Sequence, residues 1–143
     1  MSTPASAVSL EFRHARLQAM QAWLDAGDGN ARIYVMGGEW PGAGVDGGTV
    51  LAVMDLDKPC GRVEEGLLIL DGGSASRQLV QVTGEARWAR IVSAAGHWAV
   101  DCGAAHKDAG KAGLMIEGGA PGPNGGVQLY KGGLLPPVRL CLT

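Results

Sequence analysis

The spacing of apolar positions changes once along the chain, from a helical period to runs of strand length. Between Ser9 and Ala26, Phe12, Ala19 and Trp23 fall along one side, with Leu17, Met20 and Leu24 next to them. Arg13, Arg16, Gln18 and Gln21 lie mostly outside that stripe. A period of about 3.6 residues predicts one amphipathic helix over 9–26, with its aromatic stripe toward the core. Ser9 is a suitable N-cap, and Glu11 suits the positive end of the helix dipole. Gly27-Asp28-Gly29-Asn30 ends the helix, because glycine and asparagine accept a left-handed turn.

After Asn30 the pattern is that of short strands between turns. Arg32–Met36 and Thr49–Met54 are β-branched and apolar runs, separated by a glycine loop from Gly37 to Gly48. Leu67–Leu70 is a short apolar strand. Gln81–Val92 reads as one long strand with a bulge at Thr83-Gly84. Ser93–Gly96 forms a hairpin turn, and His97–Cys102 returns along it. Leu114–Ile116, Val127–Tyr130 and Val138–Leu142 complete about eight strands. The expectation is a mainly β fold: an antiparallel β-sandwich or jelly roll with one N-terminal helix. Residues 9–143 make a single domain, and 1–8, small and polar, form a flexible arm that orders against a neighbour. The loops at 104–113 and 117–126 are of the same kind, since proline and small residues keep them out of central strands.

Composition narrows the partners. The chain has 143 residues, one domain's worth, and 24 of them are glycine, clustered as turns are. Charged residues are 18%, below the usual ~25%, so less of the surface is defended by charge. Twelve basic residues stand against fourteen acidic ones. The four lysines, Lys58, Lys107, Lys111 and Lys131, are scattered. Neither a nucleic-acid backbone nor an anionic membrane surface is matched by that distribution. No apolar run reaches about 18 residues, so no membrane-spanning segment is expected. The N-terminus lacks the basic start and apolar core of a signal peptide. The odd set Cys60, Cys102 and Cys141, without a C-x-x-C pair, reads as reduced, buried thiols of a protein made in the cytoplasm.

Candidate chemistry is weak at every motif. Gly42-Ala43-Gly44-Val45-Asp46-Gly47 spells G-x-G-x-x-G, but Trp40-Pro41 precedes it and a strand follows, where a dinucleotide site needs a helix. Gly110-Lys111 lacks both the upstream glycine and the following Ser or Thr of a phosphate loop. The best metal candidates are His97, Asp101, Cys102 and His106, but His97 and Asp101 would share a strand face with Cys102 on the other, so a surface histidine and aspartate are expected and not a tetrahedral zinc site. The serines Ser74, Ser76 and Ser93 lie in turns remote in sequence from His14, and no nucleophile elbow is present. The pairs Glu64/Glu65 and Asp55/Asp57 read as solvated carboxylates. No catalytic, cofactor or metal site is therefore expected, and the chain is read as a binding protein and not an enzyme.

Trp88 and Trp98 lie on the two arms of one hairpin, close enough to pair across it or lie diagonally, and are expected in the core. Trp40 lies in the glycine loop, where an exposed aromatic is a typical interface anchor. The candidate partner contacts are Thr3, Pro4 and Val8 in the arm, Trp40 and Pro41 in the glycine loop, Lys107 and Lys111 in the first small-residue loop, and Pro121 and Pro123 in the second.

A set of short motifs carries a resemblance: Ala15-Arg16-Leu17, Arg32-Ile33-Tyr34, Leu51-Ala52, Lys58-Pro59-Cys60-Gly61, the strand Thr83-Gly84-x-Ala86-x-Trp88-x-Arg90-Ile91, and Asp101-Cys102. Over residues 10–116 the chain resembles small structural proteins of tailed bacteriophages and prophages; the segment from Gly118 departs from that pattern. The resemblance implies a virion component, foremost a capsid cement or decoration protein on the outer capsid surface. Such a protein would clamp neighbouring major capsid subunits or other virion proteins, as a homo-oligomer (dimer or trimer). A tail or head–tail joining protein is the second expectation, and a β-sandwich carbohydrate-binding module or small hydrolase the third.

Overall fold

A computed structural model describes residues 7–70, 78–106 and 113–143. Thr3 and Pro4 of the expected arm, and Lys107 and Lys111, lie outside the described residues. The chain is mainly β with one helix. Helix α1 spans Leu10–Asp25; the strands are β1 Arg32–Gly37, β2 Thr49–Asp55, β3 Arg62–Glu64, β4 Leu67–Leu70, β5 Gly84–Ala86, β6 Trp88–Val92, β7 Trp98–His106, β8 Leu114–Ile116, β9 Ala120–Pro121, β10 Val127–Leu129 and β11 Val138–Leu142.

Eight strands form one curled sheet in the order β2-β1-β6-β7-β8-β11-β4-β3, and β5-β10-β9 form a second, small sheet. The curl turns on β7. Its first part pairs with β6, from Trp98 opposite Val92 to Gly103 opposite Trp88, and its last three residues pair with β8. That second pairing is parallel, so the sheet is mixed and the expectation of purely antiparallel pairing is corrected. Alternate residues of the two halves point into one core. Ile33, Val35, Met54 and Ile91 come from one half, and Leu68, Leu70, Leu114, Ile116 and Leu140 from the other.

The run expected as one strand over 81–92 is split. Gly84–Ala86 pairs with β10, whereas Trp88–Val92 pairs with β1 and β7. Between them Arg87 donates its N–H to Met36 O and accepts from Ala104 N–H, which steers the chain from the small sheet to the large one. Before the crossing, Gly84 packs closely over β2, where a Cβ would lie 2.9 Å from a Leu51 methyl group. The edge of β2 is partly occupied, because Leu51 O accepts from Gln81 N–H and Val82 N–H.

Ser9 caps α1, its Oγ accepting from Phe12 N–H at 3.1 Å. The helix is latched to the corner that follows β2. Asp25 accepts Cys60 N–H at 3.1 Å, Lys58 Nζ donates to Gly27 O at 2.6 Å, and Gln21 donates to Gly61 O. His14 Nε2 accepts from Gly66 N–H in the β3–β4 turn, and Ala94 N–H reaches Leu24 O from the β6–β7 turn. Gly61 is forced by close packing, since a Cβ would sit 2.2 Å from Ile69 O.

The buried side of α1 is Leu17 and Leu24, not the aromatic stripe. Phe12 is 64% and Trp23 50% exposed, which corrects the expectation that they face the core. Trp98 is also outside, at 46% exposure, while Trp88 is buried. The register places Gly103 opposite Trp88 and Val92 opposite Trp98, so the two indoles do not pair across the hairpin.

Candidate interaction surface

The glycine loop between β1 and β2 folds over the outer face of β6 and β7 and is held there by one carboxylate. Arg90 and Asp101 are register partners on these strands. Arg90 Nε meets Asp101 Oδ1 at 2.7 Å and Nη2 meets Oδ2 at 2.9 Å, a two-pronged ion pair with side chains only 13% and 5% exposed. Oδ1 also accepts Trp98 Nε1–H at 3.0 Å. Oδ2 also accepts Trp40 Nε1–H at 3.0 Å and Gly44 N–H at 3.2 Å. Arg90 spends its remaining donors on the same loop, bonding Val45 O at 2.9 Å and Gly42 O at 3.4 Å. Its guanidinium stacks 4.9 Å from the Trp88 ring centre. Gly44, with φ +68°, lies against Trp98, where a Cβ would come within 3.0 Å of the indole.

The loop is thus a pinned flap. The letters G-x-G-x-x-G that it spells serve this turn, with Gly42 O, Gly44 N–H and Val45 O all facing the ion pair and not a phosphate. Asp101 accepts five hydrogen bonds on two oxygens, which fills a carboxylate's ~4 lone-pair sites. The Arg90 hydrogen bonds hold its carboxyl well below the usual carboxylate range against the opposing effect of burial, and Trp40, Gly44 and Trp98 add to this. Such a group is a weak base and stays ionised at neutral pH.

Of the three thiols, Cys60 is buried but Cys102 and Cys141 are only partly so, which corrects the expectation that all are buried. Burial, aided by nearby Asp25, pushes Cys60 up to about 12, and burial raises Cys102 to about 11. Neither forms the thiolate that a nucleophile requires at neutral pH. Among the described residues, no group of three or more His, Cys, Asp or Glu could hold a metal ion.

The flap presents one aromatic outward. Trp40 is 53% exposed although its N–H is bonded to Asp101. It borders an open hollow of about 340 Å³ with Arg87, Trp88 and Gly103. Val45, on the same flap, is half exposed. Of the residues expected to touch a partner, Trp40 and Pro41 lie on this flap, Val8 is exposed just before α1, and Pro121 and Pro123 are exposed in the 120–126 loop. Only Trp40 joins the Asp101 cluster. The 120–126 loop is itself fastened. Glu85 accepts from Asn124 N–H and Nδ2, both at 2.8 Å, and from Gly126 N–H at 3.2 Å. Pro121 stands on the edge strand β9, where a missing donor costs no ladder bond.

Sequence reasoning missed Arg90 and Asp101 as a pair, although opposite charges placed about evenly on either side of the Ser93–Gly96 turn carried the signal. It also missed the outward apolar residues of α1. No family model, no curated protein and no solved structure matches this chain.

Proposed function

We propose that this chain is a structural protein of a tailed-phage virion, a capsid cement that binds across neighbouring major capsid subunits from the outer surface. The motifs behind the resemblance fall on fold-determining positions. Lys58, Cys60 and Gly61 latch the helix, Gly84 packs closely against Leu51, and Arg90 with Asp101 pins the flap. A scaffold of that kind holds recognition groups rigid without placing a reacting group among them.

The observation that carries the binding role is Trp40. Its polar atom is satisfied inside the protein and its ring is left half exposed on a pinned loop. A partner that covers the ring need not desolvate an unpaired N–H or order a loop, and these are the costs that usually erode interface affinity. Aromatic anchors held in this way are the common hot spots of protein interfaces.

The test is co-sedimentation with empty particles assembled from the cognate major capsid protein. Trp40→Ala is expected to weaken binding about 30-fold, the loss of a ~2 kcal/mol hot spot, while its unfolding free energy falls by ~1.5 kcal/mol, the low end for one hydrogen bond to a charged group. Unchanged particle binding by the variant, or no binding by the wild-type protein, would overturn the reading. Saturation at hundreds of copies per particle is expected of a cement, and saturation at a few copies would assign the chain to the tail or its joint instead.

A further inference from the structure

A helix lying on a protein surface normally turns a polar side to water. Helix α1 does not. Leu17 and Leu24 account for its docking on the sheet. The opposite side carries Phe12, Ala15, Ala19, Ala22 and Trp23, all exposed and brought together by the helical repeat. Arg16 stands beside this side and is exposed. Past Trp23 the apolar surface runs on into a groove of about 320 Å³ lined by Met20, Trp98, Val100 and Leu142.

We propose that this face is where two copies of the chain associate, α1 against α1 in antiparallel fashion about a two-fold axis. The inference deepens the structural-protein reading, on which it rests, by naming the surface of self-association. Two features of the face single out a second copy as the occupant. The first is its sequence of sizes. Along the helix the sizes run large, small, small, small, large, from Phe12 through the alanines to Trp23, an order that is the same in reverse although the spacings are not. A two-fold interface must be complementary to itself, and an antiparallel pairing sets Phe12 of each copy beside Trp23 of the other. The alanines let the two axes approach to roughly 8 Å, the close end of helix packing.

The second feature is area. An aromatic side chain carries roughly 150–250 Å². With Phe12, Trp23 and Trp98 exposed by 64%, 50% and 46%, these three leave roughly 350 Å² uncovered per copy. Leu10, itself exposed, and the three alanines bring this to about 500 Å². Two copies together then supply about 1,000 Å², which is the lower bound for a specific association.

The test is sedimentation velocity of the full chain from about 1 to 100 μM, a range that brackets a standard-state affinity of ~8 kcal/mol, beside Ala19→Arg and Phe12→Ala. Both positions are exposed and arginine is a good helix former, so thermal unfolding should stay within a few degrees of wild type. Wild type is expected to form a dimer. Ala19→Arg, which puts a charged side chain into the centre of the contact, is expected to be monomeric throughout, and Phe12→Ala to weaken the dimer at least tenfold. A wild-type monomer at 100 μM, or a dimer that persists in Ala19→Arg, would overturn the proposal. The particle co-sedimentation assay separates the two readings. A dimer lost in Ala19→Arg, with no particle binding by wild type, upholds this surface and removes the cement function. A monomeric wild type whose particle binding is abolished by Ala19→Arg gives the face to a capsid subunit and removes the dimer.

Discussion

Replacing Asp101 with alanine should unpin the flap and break the two-pronged ion pair with Arg90. The substitution leaves the Arg90 guanidinium, 13% exposed, without its carboxylate, and strands the N–H groups of Trp40, Trp98 and Gly44. Removing one partner of a buried ion pair costs about 3–5 kcal/mol. Arg90 keeps the carbonyls of Val45 and Gly42, and the stranded donors can reach water at the loop's rim. The lower end therefore applies, about 3 kcal/mol, or roughly 10 °C in melting temperature for a domain of this size. Urea unfolding followed by tryptophan fluorescence measures it directly, because two of the four indoles donate to Asp101. The pH dependence supplies the sharper check. Asp101 is held well below the usual carboxylate range in the folded protein, so its contribution is fully present above its unfolded value of about 3.9. It is lost as pH falls below that value toward the depressed folded one. The gap between wild type and Asp101→Ala should stay constant from pH 7 to about pH 5 and narrow steadily below pH 4. Taking the gap cancels the other carboxylates. A gap under ~1 kcal/mol at pH 7, the value of an exposed pair, or one that does not narrow in acid, would refute the account of the flap.

Gly61→Ala should destabilise by several kcal/mol, because its Cβ would meet Ile69 O at 2.2 Å and a Leu70 methyl group at 2.7 Å, leaving neither strand nor helix latch room to give; equilibrium unfolding within ~1 kcal/mol of wild type would contradict this packing. Cys60, buried and raised to about 12, should react with a thiol reagent at pH 8 only at the rate of unfolding, so its labelling should accelerate in urea in step with loss of structure; rapid labelling of Cys60 in the native protein, read by peptide mapping, would contradict its burial.

The fold's local pieces were legible and its directions were not. Ser9 and Gly27 bracket α1 to within one or two residues, because caps act through a few neighbouring atoms. The runs 32–36, 49–54, 67–70 and 138–142 became strands for the same local reason. The long run 81–92 was misread because nothing in its own residues marks the change of sheet at Arg87. That change is fixed by Met36 and Ala104, which are distant in sequence. Strands β3 and β9 escaped notice because three charged-flanked residues and an Ala-Pro pair carry no period. The parallel pairing of β7 with β8 is a tertiary fact, invisible to any window.

The most consequential misreading concerns α1, and its cause bears on function. Periodicity reports that a helix has apolar residues at helical spacing, but it cannot say which of two apolar sides meets the core. Here the aliphatic side, Leu17 and Leu24, fills the space above β3 and β4, and the aromatic side is turned out. Packing alone does not require that arrangement. A helix with Ser or Gln at positions 12 and 23 would dock equally well on the sheet, since neither residue is buried. Leaving these two aromatics 64% and 50% exposed forgoes roughly 1–2 kcal/mol of burial for each, about half the value of full burial, and that free energy is recoverable only when something covers them. The same logic applies to Trp40 on its pinned flap. An interaction protein differs from an ordinary β domain in this respect: part of its apolar surface is withheld from folding and held in fixed geometry, so that its burial stabilises an assembly and not the monomer.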